Sequence, residues 1–266
     1  MRYTVAPTFS KEHFGMKLNH RSLVAVASFV FAVSTASAQT YHNIGYLGAD
    51  GAAAVGLDFM TSKVQFETKS GSDFDLERKI FGLDVGLNMG DGVAVYGALG
   101  RIMTTEWSEF RNFKGEGFEF GFGAKTEAYT GVKGKIVPYA QFNYVIEDLE
   151  YKATDTATTK VKAENSIYEF VVGSVFVMTS NPRFSPYAGF EIFPINSGEI
   201  KFKEDVPTIG SGSTAISVTS RTFEFNRDDV INLKFGASAA FGNFMLRGEA
   251  IMISETTFLA SAGFLF

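Results

Sequence analysis

Asp84, Glu119, Lys125, Glu127, Gln141, Asn143, Glu169, Glu191, Lys234, Arg247 and Glu249 draw attention by position: they recur opposite apolar residues at a spacing of two. Side chains two apart share one face of a strand, so these acids, bases and amides collect on a common surface. Two chemistries fit such a surface. As the lining of a pore, being richer in carboxylates than in cations, it would mildly favour cations. As the filling of a small barrel, it would form an internal network of paired charges and hydrogen bonds. The second carries more weight, because eight or ten strands enclose little beyond their own side chains. Arg247 and Glu249 occupy adjacent inward positions on one strand. Removing one partner of a buried pair of this kind costs several kcal/mol.

Other chemistries find little support. The histidines are His13, His20 and His42, the first two in the leader and the third ahead of the first strand. Strands and outer connections therefore lack a general base for a histidine triad or dyad. There is no cysteine and no histidine cluster, which leaves zinc and iron unsupported. Asp73, Asp75, Glu77, Asp228 and Asp229 could offer oxygens to calcium, but without EF-hand spacing they read as solvated loop charges. Gly115-Glu116-Gly117 opens a strand and is not followed by the helix that a dinucleotide fingerprint needs. No catalytic, cofactor-binding or metal residue is assigned.

The elements that would position the polar face are strands. In residues 81–89, Phe81, Leu83, Val85, Leu87 and Met89 alternate with Gly82, Asp84, Gly86 and Asn88. Phe118, Phe120 and Phe122 oppose Glu119, Gly121 and Gly123, and Ile231, Leu233 and Phe235 oppose Asn232, Lys234 and Gly236. Ten segments follow this period: 52–66, 78–89, 93–104, 115–128, 135–149, 164–178, 185–201, 228–241, 244–253 and 256–266. Most reach the ~9–11 residues of a tilted transmembrane strand. Facing is ambiguous in the third, where Tyr96 and Arg101 differ in parity, and Gly56 and Asp58 interrupt the first. Connections alternate between short ones (90–92, 129–134, 179–184, 242–243) and longer polar ones (67–77, 105–114, 150–163, 202–227). The connection near Ser254 and Glu255 breaks the trend by being short. Tight turns on one side and larger loops on the other place both termini in the periplasm. The expected fold is all-β, a closed antiparallel up-and-down transmembrane barrel of about ten strands. Eight is the fallback, and twelve would require a hairpin within 202–227.

Composition agrees with export. Lys17, His20 and Arg21 precede an apolar run, 23–33, and Ala36-Ser37-Ala38 has the small-x-small form of a cleavage site. Residues 1–38 are read as a leader containing a signal peptide, with Met16 the better start, and 39–266 as the barrel. The apolar run is about half the ~20 residues of a spanning helix. Of 24 Lys and Arg and 29 Asp and Glu, the leader takes Arg2, Lys11, Lys17, Arg21 and Glu12. The remainder, 20 against 28, is acidic and disfavours nucleic acid as a partner. The 28 Phe and 27 Gly against 6 Pro suit a lipid-facing surface around a crowded lumen.

A soluble barrel binding a lipid would show the same period with its faces inverted. The last strand favours the membrane: Phe258, Ala260, Ala262, Phe264 and Phe266 share a face and end the sequence on an aromatic. This ending, behind an export signal, resembles that of small outer-membrane barrels of the opacity-type surface-antigen and OmpA-like group. The resemblance implies that Phe264 and Phe266 serve as a signal to the outer-membrane assembly machinery. It also implies outer-membrane lipid as surroundings and extracellular ligands met through outer loops; in departure from OmpA-like proteins, no peptidoglycan-binding domain is expected after Phe266. Omptin-type proteases, lipid A deacylases and outer-membrane phospholipases share this architecture and rely on a histidine that the strands here lack. The expected role is structural and surface-exposed, not enzymatic, with a narrow porin-like channel for small ions or solutes as the alternative. Trp107, Phe110 and Phe113 are read as part of the outer aromatic girdle, and Tyr139, Tyr144 and Tyr151 as rim residues.

Overall fold

Strict alternation builds twelve strands in the computed structural model, which describes residues 52–107, 113–152, 160–181, 183–203 and 222–266. They are β1 (Ala53–Thr68), β2 (Asp73–Gly90), β3 (Val93–Trp107), β4 (Phe113–Thr126), β5 (Tyr129–Thr130), β6 (Gly134–Lys152), β7 (Lys160–Met178), β8 (Phe184–Phe202), β9 (Thr222–Arg227), β10 (Ile231–Phe241), β11 (Phe244–Ile253) and β12 (Glu255–Leu265). The leader, its cleavage site and His42 lie outside the described residues, as do Phe110 and the segment 204–221.

Ten long strands close into one antiparallel ring, β1-β2-β3-β4-β6-β7-β8-β10-β11-β12, and β12 returns to β1 with Asp58 opposite Ser261. Closure leaves no edge where lipid could not satisfy the backbone. Short turns gather at the end that carries the last strand's terminus. One of them, Gly90-Asp91-Gly92, has all three residues at positive φ (95°, 53° and 73°), which explains its two glycines.

The ring changes strand number along its axis. β10, β11 and β12 hold 11, 10 and 11 residues, whereas β6, β7 and β8 hold 19 each. The β11–β12 hairpin stops partway up, with Glu255 level with Val64 of β1. Above its tip β9 takes over, pairing with β8 at Gly198↔Phe225 and with β1 at Phe66↔Arg227. The outer end is thus closed by eight strands, β1 to β4 and β6 to β9. β9 and β10 run down the same side of β8 and are separated by 228–230. This break lies opposite the register shift in β8 between Ile192 and Ile195, where the Phe193 N–H donates to Val230 O at 3.0 Å. The short connection at Ser254 is therefore not an outer loop. Ser254 is buried, and its N–H and hydroxyl both donate to Asn232 Oδ1, at 3.1 and 2.6 Å.

Facing inverts between the two levels. On β2 the outward residues run Asp73, Asp75, Glu77, Lys79 and then Phe81, Leu83, Val85, Leu87, Met89, while the inward ones run Phe74, Leu76, Arg78, Ile80 and then Gly82, Asp84, Asn88. β1 changes at the same height: Leu57 and Phe59 face out below, Lys63 and Glu67 above. The lower tier is apolar outside and polar inside. The upper tier is charged outside and filled by Phe66, Phe74, Trp107, Leu149, Ile200 and Phe225.

Several expectations change accordingly. Part of 67–77, 105–114 and 202–227 is strand, β9 lying in the described part of the last. Trp107 belongs to no girdle: it is buried and stacks on Phe74 at 4.9 Å between ring centres, because the bulge in β3 between Ile102 and Thr105 turns it inside the upper tier. Tyr139 is a lumen residue by simple alternation, sharing parity with Gln141. In β3, Tyr96 points in and Arg101 out, where its guanidinium pairs with Glu116 and covers the Phe118 ring at 4.6 Å.

Candidate functional site

Among the described residues the inward faces bring thirteen charged side chains into the lumen: Asp58, Asp84, Glu119, Glu147, Glu169, Glu191, Glu249 and Glu255, with Arg78, Lys125, Arg227, Lys234 and Arg247. They sort into three layers. Lowest, near the tight turns, Arg247 Nη2 stands 3.6 Å from Asp58 Oδ1, with Asp84 and Lys125 close by. A cavity of about 20 Å³ is bordered by Gly56, Asp84, Arg247 and Ser261, room for one water-sized group.

In the middle layer Lys234 Nζ lies 3.0 Å from Glu191 Oε2 and 3.6 Å from Glu249 Oε1. Tyr139 donates its hydroxyl to Glu191 Oε2 at 2.8 Å, and Tyr187 donates to Glu249 Oε2 at 2.5 Å. Asn232 Nδ2 adds a bond to Glu191 Oε1 at 3.2 Å. Glycines make these approaches feasible: the phenol rings of Tyr139 and Tyr187 lie over Gly173 and Gly236, where any Cβ would collide with them.

The highest layer sits beneath the apolar filling. Arg78 grips Glu147 with two bonds, Nε to Oε1 at 2.9 Å and Nη2 to Oε2 at 3.0 Å, a bidentate fork. Thr105 and Asn165 also donate to Glu147. Arg227 spans Glu169, through Nε, and Glu255 Oε2, through Nη1 at 2.7 Å, with its Cζ 3.8 Å over the Phe193 ring. Arg227 thereby ties β9 to β7 and to the tip of the β11–β12 hairpin, the point where ten strands become eight.

Ten of the eleven positions singled out in the sequence lie in this lumen, Gln141 and Asn143 bonded to each other at 2.5 Å. Glu127 does not. It follows the end of β4, pairs with Lys135 and accepts a bond from Thr130 Oγ1 at 3.0 Å, so it belongs to the lower rim. Asp58, Arg78, Glu147, Arg227 and Glu255 were missed, although parity could have found Asp58 and Glu147: each shares a face with a selected or small inward residue. Among the described residues no three acids or histidines gather closely enough to hold a metal ion. Asp75 and Glu77 are engaged by Lys63 at 2.6 and 3.5 Å.

Outside the lower tier, Leu57, Phe59, Phe81, Phe122, Phe190, Leu233, Phe235 and Phe258 form an exposed apolar belt around the closed wall. Such a belt is stable in lipid and would be a liability in water. A solved structure agrees in fold. The outer membrane protease OmpT from Escherichia coli aligns with a TM-score of 0.51 at 8% identity, covering 82% of this chain and 96% of that one. This chain has the fold of a bacterial outer-membrane β-barrel. The translocator domain of the autotransporter NalP from Neisseria meningitidis aligns at a TM-score of 0.48 and 10% identity, over 92% of this chain and 97% of that one. The outer membrane protein OprG from Pseudomonas aeruginosa aligns at 0.38 and 10%, over 82% and 96%. No protein-family model and no curated protein matches. The barrel's last strand ends with Phe264 in the belt, its ring 5.2 Å from that of Phe244, and with Phe266 bonded through its backbone to Ala53.

Proposed function

We propose that this barrel has a structural, surface-exposed role in the envelope, with a lumen that is sealed. The observation that carries this reading is the pairing of two unlike plugs in series. Charge layers fill the ten-stranded tier, and above them Phe66, Phe74, Trp107 and Phe225 fill the eight-stranded tier with rings in mutual contact. An ion passing outward would have to part the Arg78–Glu147 and Arg227–Glu169 pairs and then cross an apolar core. Either step costs several kcal/mol.

The upper tier, with its charged exterior, carries the facing ends of β6 and β7 and of β8 and β9 away from the lipid belt. The connections at those ends are the segments offered to extracellular ligands, in the manner of a surface antigen. Lipid surrounds the belt, and Phe264 and Phe266 are the proposed contact for the assembly machinery. A histidine-dependent hydrolase is disfavoured, since none of the three histidines is among the described strand residues.

The test is single-channel recording of the refolded protein in planar bilayers, after its heat-dependent gel shift establishes insertion. Insertion without conductance is expected. Reproducible conductance steps with a modest cation preference would instead establish the narrow channel, with the lumen carboxylates as its lining.

A further inference from the structure

The outer edge of the lipid belt differs from one side of the barrel to the other. Above the belt, the first charged residue on the outer face is Lys63 on β1, Lys79 on β2 and Arg101 on β3, but Glu116 on β4, Asp148 on β6, Glu164 on β7 and Glu199 on β8. Lipid headgroups at this height therefore meet cations on one side and carboxylates on the other. Arg101 is already engaged, its guanidinium paired with Glu116. The lysines are not placed alike either. Lys63 lies 2.6 Å from Asp75 and 3.5 Å from Glu77, whereas among the described residues Lys79 forms no ion pair.

A crevice of about 410 Å³ opens in the wall at this point, lined by Thr61, Lys63, Lys79, Thr104, Thr256 and Phe258. Strand register builds it in rows. Next to the belt Thr61 stands opposite Lys79, and Lys79 opposite Thr104, so one ammonium lies between two hydroxyls. The bulge in β3 falls beside them: Met103 is the extra residue between the Lys79↔Thr104 and Ile80↔Ile102 pairs, and it breaks the even ladder there. In the row above, Lys63 stands opposite Glu77, and Glu77 opposite Glu106. Glu106 has its own lysine, Lys114, at 2.9 Å. A group arriving from the lipid side thus meets Lys79 and the hydroxyls before it meets a carboxylate.

An ammonium flanked by hydroxyls at the height where apolar wall gives way to water has the chemistry of a phosphate site. The floor selects the source of the phosphate. Phe59, Phe81 and Phe258 are each about half exposed and continue into the belt, a surface that a free ion would leave bare and acyl chains cover. We propose that this crevice binds the phosphate of an anionic lipid headgroup, Lys79 supplying the charge and Thr61 and Thr104 donating hydrogen bonds. Glu77 and Glu106 bound the site on the water side and, by repulsion, stop the phosphate at the depth of Lys79. The site is independent of the lumen, since Thr61, Lys79 and Thr104 all lie on the outer face.

The experiment is native mass spectrometry of the refolded barrel in detergent, titrated with phosphatidylglycerol and, separately, with zwitterionic phosphatidylcholine. Lys79→Gln is compared with Lys162→Gln, an exposed lysine on β7 across the ring. One phosphatidylglycerol should be retained in preference to phosphatidylcholine, and Lys79→Gln should weaken that binding about fivefold. Thr104→Val should weaken it by less, and Lys162→Gln should leave it unchanged. Both lysines are exposed, and the heat-dependent gel shift verifies that each variant folds. Equal retention of the two lipids would overturn the proposal, as would equal losses in the two lysine variants or binding that survives Lys79→Gln. Binding that requires magnesium and persists in Lys79→Gln would assign the site to Glu77 and Glu106 through a bridging cation, which also overturns it. The sealed lumen stands or falls separately, by conductance.

Discussion

The two tiers of this barrel obey the same two-residue period and give it opposite meanings. In the lower tier Val85 and Leu83 face outward beside Asp84 facing in, and in the upper tier Glu77 and Asp75 face outward beside Leu76 facing in. The backbone is continuous through both, so the pleat cannot distinguish them. Solvent does: lipid selects the apolar face below, and water selects the charged face above. The filling follows, since a membrane wall that spends its apolar residues outward must satisfy polar groups inside, while the protruding wall is free to build an ordinary core. The narrowing from ten strands to eight marks the boundary, and Arg227 with Glu255 and Glu169 is its clasp.

That contrast is open to attack at several points. The largest difference is expected between two phenylalanines of one strand. Phe74→Ala empties the upper core and should cost about 3–5 kcal/mol, whereas Phe81→Ala on the lipid face should cost much less. Urea unfolding in vesicles compares them directly, and equal losses would mean the upper tier is not a packed core. Charge on the outer wall gives the next contrast: Val85→Arg should destabilise by about 2–4 kcal/mol, while Glu77→Arg, facing water, should be nearly neutral in the same measurement.

A smaller and opposite effect is expected at the tip of the short hairpin. Ile253 has φ of 108° and is 60% exposed, so its backbone is strained while its side chain packs little. Ile253→Gly should stabilise by about 1 kcal/mol, read as a higher urea midpoint. The smallest effect belongs to the upper surface. A hydrogen bond from Lys203 holds the Glu164 carboxyl below the usual range, so its contribution is present above the unfolded pKa and lost as pH falls through the folded one. Both groups are solvated, and Glu164→Gln should leave the unfolding midpoint at pH 7 unchanged within error.

Much of the membrane tier was legible in the sequence, because Phe81, Phe118, Phe120 and Ile231 repeat with glycines and charges between them at lengths that fit a bilayer. The upper tier was not. Phe74, Leu76 and Glu77 alternate as cleanly, but charges on the outer face led the segment to be read as a polar loop, since the expectation assumed one environment along the whole strand. Arg227 and Glu255 escaped for a different reason. Each borders a break in the ladder, and only the pairing of β9 with both β8 and β1 places them inside. Trp107 reads as a girdle residue by its type, although the one-residue bulge in β3 between Ile102 and Thr105 carries it into the core.

The inversion of faces is the central claim, and the absence of cysteine allows a clean test. Single substitutions Glu77→Cys, Lys79→Cys, Leu83→Cys and Val85→Cys along β2, each in barrels folded into lipid vesicles, would be treated with a water-soluble, membrane-impermeant maleimide. Positions 77 and 79 should label rapidly, and positions 83 and 85 should remain protected until the barrel is unfolded. Labelling of 83 and 85 as fast as 77, or protection of all four, would contradict a wall that leaves the membrane between Lys79 and Phe81.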